Sequence, residues 1–356
     1  MAAKLFQRLL KRSLAGSKRR KKAGFTLLEI LISLLIAGVI ISVLLSFVVD
    51  LVDTDRREFA RSETQREMQT ALDLMVADLR EAVYIYDRVE VTRGGGVGPL
   101  ATFIPTFDNL GPSVRPILAF WKVERIPDAD LTALGSCDRF GAREPNPSRQ
   151  RRECDQLQIR RRTYTLVVYY QVRNRNNDPR WKGASRIIRY ALPKYTNIAN
   201  LTQSQGYVDP IEGRSDIDAK TSRENWPLDN SNNNIQIGGR PTGPAPQVLV
   251  DFVDNPENRE IDAATLPGCS NPEPNHPLYN PNPTNPTYRR VPEDSQVSKS
   301  FFVCVKTLNA ATSTAVSNQD VVIYLRGNAQ ERTRRKERLE IISTQAVARG
   351  IIDKKP

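Results

Sequence analysis

The sequence predicts an α+β protein, with one long N-terminal helix, membrane-spanning at first and amphipathic beyond, packed on an antiparallel β-sheet head with long loops. Three observations predict it. An apolar run from Phe25 to Val49 passes directly into a segment, 50–86, that lacks both Gly and Pro. Short apolar or alternating runs follow, as β-strands do. Stretches dense in Asn, Pro, Ser and Gly separate those runs. The expected organisation is a leader over 1–24, an apolar helix over 25–49, its amphipathic continuation over 50–86 and a β-rich head over 87–356.

The leader explains most of the charge. The chain has 52 Lys+Arg against 40 Asp+Glu, a formal +12, which in isolation would suggest a nucleic-acid or anionic-membrane partner. Nine of those twelve charges lie in residues 1–24, which hold no acid, so the remainder carries only +3. A nucleic-acid partner is therefore disfavoured.

The apolar run is long enough for a bilayer core, which takes roughly 20 helical residues. Glu29 is its only charge. A secretory signal would have a shorter core followed by a small-residue cleavage site, and this run continues into Asp50 without one. A plain anchor would fit the length and leave Glu29 without a purpose. A carboxylate within the hydrocarbon costs at least ~2.5 kcal/mol, so it marks a functional position. The cluster Lys21-Lys22-Ala23-Gly24-Phe25-Thr26-Leu27-Leu28-Glu29 resembles the processing and methylation site of type IV prepilins and pseudopilins. That pattern is a basic leader ending in Gly, an aromatic after the cut, and Glu four residues further on. The resemblance implies a prepilin peptidase cutting between Gly24 and Phe25 on the cytoplasmic side, N-methylation of Phe25, and assembly with other pilins through the helix. In that family the Glu, here Glu29, meets the Phe25 amine of a neighbour, two charges that offset each other's desolvation. Many major pilins carry a proline about where Ser46 stands here, and Gly38 is the one flexible point of the run. The basic leader places the N-terminus in the cytoplasm and the head outside the inner membrane.

Beyond Asp50, Met68, Leu72, Met75, Val76, Leu79 and Val83 recur at helical spacing, one face of an amphipathic helix that needs a partner. The charged residues Arg57, Glu58, Arg61, Glu63, Arg66 and Glu67 read as its solvated face. Unbroken from Phe25 to Val83, such a helix would reach on the order of 90 Å.

In the head, strands are expected near 116–124, 157–172, 185–191, 247–253, 300–306 and 320–326. Residues 200–246 and 267–298 read as surface loops unable to bury a core of their own. Cys137, Cys154, Cys269 and Cys304 form an even set suited to an oxidising compartment. Four cysteines permit three pairings; Cys137 with Cys154 and Cys269 with Cys304 is the pairing favoured.

Enzymatic and metal chemistry find little support. The glycine-rich 92–98 lacks the helix and Lys-Ser/Thr of a phosphate loop. The single histidine, His276, lies in a Pro/Asn-rich stretch, and no acid–base or nucleophilic set assembles around it. No C-x-x-C spacing suggests zinc, and Asp251, Asp254, Glu257 and Asp262 lack the spacing of a calcium loop. No enzyme, cofactor or metal is expected.

The segment EMQTALDLMVADLREAVY (67–84) also resembles minor pilins of the PilW type and J-type minor pseudopilins, where an Asp-Leu-Arg stretch closes the long helix. SETQREMQ (62–69), DVVIYLRGNAQ (320–330) and ARGIIDK (348–354) resemble the pseudopilins of hormogonium polysaccharide secretion. This implies a minor subunit of a pilus-like machine exporting polysaccharide for gliding, with polysaccharide a further partner. The alternatives are a minor pilin of a motility or DNA-uptake pilus, or a membrane-anchored sugar-binding protein that does not assemble.

Overall fold

The computed structural model describes residues 24–90, 98–143, 145–214, 217–262, 266–269, 288–294, 298–306, 319–333 and 338–348. Residues 1–23, most of 92–98, His276 and residues 349–354 lie outside them, and so does most of 267–298. The chain divides into two units, Met1–Arg56 and Arg57–Pro356.

The first helix, α1, spans Leu27–Arg80 without interruption. Within the second unit it buries Ala60, Thr64, Met68, Ala71, Leu72, Met75, Val76, Asp78 and Leu79, so the expected stripe is the core-facing one as far as Leu79. Val83 does not belong to it. The helix ends six residues short of the expected limit, and Ala82–Ile85 forms strand β1. The residues Val83, Tyr84 and Ile85 suit a strand. Pairing with the next strand, Ala82 opposite Lys122 and Ile85 opposite Phe120, outweighs the helical pattern.

Strand β2 (Ser113–Arg125) and two helices, α2 (Asp128–Leu134) and α3 (Arg149–Arg160), precede β3 (Arg162–Arg173). The first four residues of the expected strand over 157–172 thus belong to a helix. Ser148 caps α3 by accepting from Arg151 N at 3.0 Å, as N-cap serines do, and Arg161, at φ 51°, ends it. Strands β4 (Ser185–Leu192), β5 (Tyr195–Asn197), β6 (Thr202–Gln203) and β7 (Gln247–Val253) follow, then β8 (Tyr288–Val291), β9 (Phe301–Lys306) and β10 (Asp320–Asn328). A short helical turn, α4 (Gln330–Thr333), leads to β11 (Arg338–Val347).

The main sheet is antiparallel, in the order β1-β2-β3-β4-β7-β10-β9-β8, with β11 also on β10. Strands β7 and β10 meet only at Gly327 opposite Val253. Beside that seam a buried polar cluster ties the two halves together. Gln171 Nε2 donates to Ser185 Oγ at 2.8 Å and to Ser300 Oγ at 2.7 Å, and Ser185 Oγ donates to the Asp254 carbonyl at 2.8 Å. Each member has a partner, which is what makes buried polar groups tolerable.

Residues 200–246 are more than surface loops. Tyr207, Val208, Trp226 and Ile235 enter the main core. Trp226 sits edge-on to Trp121 at 5.4 Å and donates its indole N–H to Val208 O at 3.0 Å. Aromatic anchors let a polar segment dock on a core built by others.

Candidate functional site

Gly24, Phe25 and Thr26 precede α1 as exposed chain without regular structure. Thr26 starts the helix: its Oγ1 accepts from Glu29 N at 3.3 Å, and its carbonyl accepts from Glu29 N and Ile30 N at 3.0 and 3.2 Å. Thr26-x-x-Glu29 is the spacing of a capping box, and an acid in the first turn faces the positive end of the helix dipole. A Cβ built on Gly24 meets nothing within 4 Å. The fold itself therefore makes no demand for glycine at that position.

The surface that follows is apolar. Every large apolar side chain from Phe25, 75 % exposed, to Val52 is exposed, and the helix is long and apolar enough to cross a membrane. Ser33 and Ser42 donate their hydroxyls back to the carbonyls of Glu29 and Gly38 at 2.7 and 2.8 Å. Self-satisfied hydroxyls suit a hydrocarbon environment. From Phe25 to Val49, Glu29 is the one ionisable side chain.

In the second unit a buried charge cluster centres on Asp78, on the core face of α1. Its carboxylate accepts from Tyr169 OH at 2.6 Å, Arg189 Nε at 2.7 Å and Lys122 Nζ at 3.1 Å. Burial alone would raise its pKa; Arg189, Tyr169 and Lys122 outweigh that and hold it below the ordinary carboxylate range. Burial likewise opposes the Lys122 charge, but Asp78 overcomes it and raises the lysine pKa. One carboxylate thus joins α1 to β2, β3 and β4. The sequence signal for it is a lone Asp between Met75, Val76 and Leu79 on an otherwise apolar face.

The cysteines pair as Cys137–Cys154 and Cys269–Cys304, with Cα atoms 5.7 and 5.4 Å apart. The first staples α3 to the turn at Cys137–Phe140, and the second lies in a small cluster with Tyr288, Phe302 and Tyr324. The acidic residues near β7 hold backbone. Asp251 accepts from Lys182 N at 2.9 Å and Gly183 N at 3.1 Å, and Asp254 accepts from Asn255 N at 2.9 Å as well as from the Asn328 side chain at 2.8 Å. Among the described residues no three His, Cys, Asp or Glu side chains form a group able to hold a metal.

Residues 19–45 match the family model for the prokaryotic N-terminal methylation motif. No curated protein and no solved structure matches the chain. The motif, with the apolar helix that it opens, supports a type IV pilin or pseudopilin subunit: a single-pass, membrane-anchored protein, processed by prepilin peptidase and assembling with other pilins. That family is structural rather than enzymatic.

Proposed function

We propose that this chain is a minor subunit of a type IV pilus-like machine that exports polysaccharide, its first 24 residues a cytoplasmic leader removed before assembly. The observation that carries the reading is the exposed apolar run that follows Gly24, from Phe25 to Val49, in which Glu29 is the single charge. Prepilin peptidase cuts between Gly24 and Phe25, and the new Phe25 amine is methylated. The basic leader keeps the N-terminus in the cytoplasm. The head then lies outside the inner membrane, a compartment where Cys137–Cys154 and Cys269–Cys304 persist, and enters a periplasmic filament. Since nothing inside the fold requires glycine at 24, the requirement comes from the enzyme that reads the site. The polysaccharide role rests on the resemblance of 62–69 and 320–330 to the hormogonium secretion pseudopilins.

Mass spectrometry of the membrane-purified protein tests the processing step. The mature chain is expected to begin with N-methylated Phe25, and Gly24→Trp to accumulate uncut in the membrane. Intact residues 1–24 in protein that complements a null strain would overturn the reading.

A further inference from the structure

On the head, a groove of about 580 Å³ runs between α3, the start of β3 and the turn at 209–212, with an adjoining recess of about 130 Å³ sharing its walls. The groove has a rigid wall. Cys154 is tied to Cys137. Arg151, buried on the far side of α3, donates to Asp138 at 2.7 Å, to Gly141 O at 3.0 Å and to Asp155 at 3.2 Å. With that side fixed, positions 149, 152, 153, 156 and 160 share the side that lines the groove, as a period of 3.6 residues requires.

The floor is closed within itself. Lys194 Nζ lies 3.0 Å from Glu153 and 3.8 Å from Asp209. Tyr195 OH donates to Glu153 at 2.5 Å, and Asp209 accepts from the Ile211 and Glu212 amides at 3.0 Å. The rim is more open to solvent. Arg149, Arg152, Arg160 and Arg162 are exposed there beside Glu212, and Arg152 Nη1 donates to Pro147 O at 2.6 Å. Arg160 pairs with Glu212 at 3.0 Å, and an exposed ion pair of that kind yields readily to a competing anion.

We propose that this groove binds an acidic polysaccharide, a chain rich in hydroxyls with carboxylate or sulfate groups spaced along it. The occupant's identity rests on the export reading above; the groove's preference for a sparse polyanion rests on its own chemistry. Guanidinium forks match carboxylate and sulfate oxygens in pairs. Between them, Gln156 and Thr163 offer a donor and acceptors to hydroxyls. A nucleic acid fits less well. Duplex DNA carries one charge per ~1.7 Å of axis, and phosphates that dense would lie over Glu153, Asp209 and Glu212. Single strands bind by stacking bases on aromatic rings, and the one aromatic lining the groove, Tyr164, has Arg223 over its ring at 5.9 Å.

The test uses the full processed chain in detergent micelles, titrated at low salt with polygalacturonate, with neutral dextran of equal length and with single-stranded DNA. Polygalacturonate is expected to bind, and dextran and DNA to bind more weakly. The double reversal R152E/R162E, one in the recess and one in the groove, should weaken polygalacturonate by on the order of tenfold or more, the size of two lost charge-assisted contacts. R180E, an exposed reversal on another turn, should leave binding unchanged, and R160Q, which removes charge without reversing it, should give a smaller loss. Equal binding of dextran, tighter binding of DNA, or the same loss in R180E as in R152E/R162E would each overturn the proposal. Peptide mapping and subunit crosslinking of R152E/R162E are expected to match wild type. A groove without affinity in a chain that is still processed and assembled would sink this inference alone, whereas an unprocessed wild-type chain would sink the export reading.

Discussion

Asp78 sets how firmly the end of α1 is held. Removing its carboxylate leaves Arg189 charged beneath the helix without its partner and Lys122 with only the exposed Glu81 at 3.3 Å, and breaking a buried pair in this way typically costs ~3–5 kcal/mol. Asp78→Ala should therefore shift the denaturant midpoint of the head strongly, read by Trp121 and Trp226 fluorescence; a shift equivalent to under ~1 kcal/mol would show that the site repacks. The pH dependence has a definite sign. The folded pKa of Asp78 is lowered, so its contribution is complete above the unfolded value of about 3.9 and is lost as pH falls through the lower folded one. The folded pKa of Lys122 is raised, so its part is complete below about 10.4 and lost as pH rises through the higher folded value. Urea titrations of wild type and Asp78→Asn should differ by a constant amount from about pH 5 to 9. The difference should narrow below about pH 4. An isolated Asp on an apolar face was visible in the sequence, but its three partners lie on three separate strands. Still less visible was Gln319, whose amide accepts from Ile85 N at 2.8 Å and donates to Ile85 O at 2.9 Å. It stands in for a strand neighbour, a contact that no local pattern encodes.

Elements show the same division between local and distant causes. Strands β2, β4, β7, β9 and β10 were legible as apolar runs, because a half-buried sheet imposes its alternation on the sequence. The region before β3 was misread because Arg160, Arg161 and Arg162 continue an apparent strand, whereas Ser148, the disulfide and the left-handed Arg161 close a helix there. Replacing both cysteines, C137S/C154S, should release that lobe by ~3 kcal/mol, the size expected for a loop of about this length. Limited proteolysis should then cut between residues 138 and 152 while β2 and β3 stay protected; unchanged cleavage would mean that the Arg151 contacts suffice. A second element-level constraint lies where α1 crosses β10. A Cβ on Gly327 would stand 3.0 Å from Leu339 Cδ1 and Thr64 Cγ2, and 3.3 Å from Met68 Cγ. Gly327→Val is therefore expected to cost ~1–3 kcal/mol by overpacking, measured as a lower urea midpoint with an unchanged slope. A neutral result would show that the helix moves away freely. Nothing near Gly327 in the sequence marks this approach, since Thr64 and Met68 are distant in the chain.

For the whole molecule, the decisive question is whether Glu29 serves its own helix or another subunit. Both roles have physical grounds. Within the chain, Glu29 sits in the first turn of α1, where Thr26 caps the helix, and an acid there is modestly favourable. Between chains, a carboxylate on an exposed apolar surface has no counter-charge among the described residues until a Phe25 amine is brought to it, and in a low dielectric that pairing is strong. The two roles separate experimentally. Thr26→Val removes the cap and keeps the charge; Glu29→Gln keeps the shape and removes the charge. If the role is intermolecular, Glu29→Gln and Glu29→Ala should both be processed and membrane-resident, since losing a charge eases insertion. They should nevertheless crosslink to other pilin-like subunits at least about tenfold less than wild type, because each stranded Phe25 ammonium resists burial. Thr26→Val should then crosslink normally. If Glu29 serves only to start the helix, Thr26→Val should impair crosslinking as much as Glu29→Gln does. Wild-type crosslinking and complementation by Glu29→Gln would remove the charge from assembly altogether.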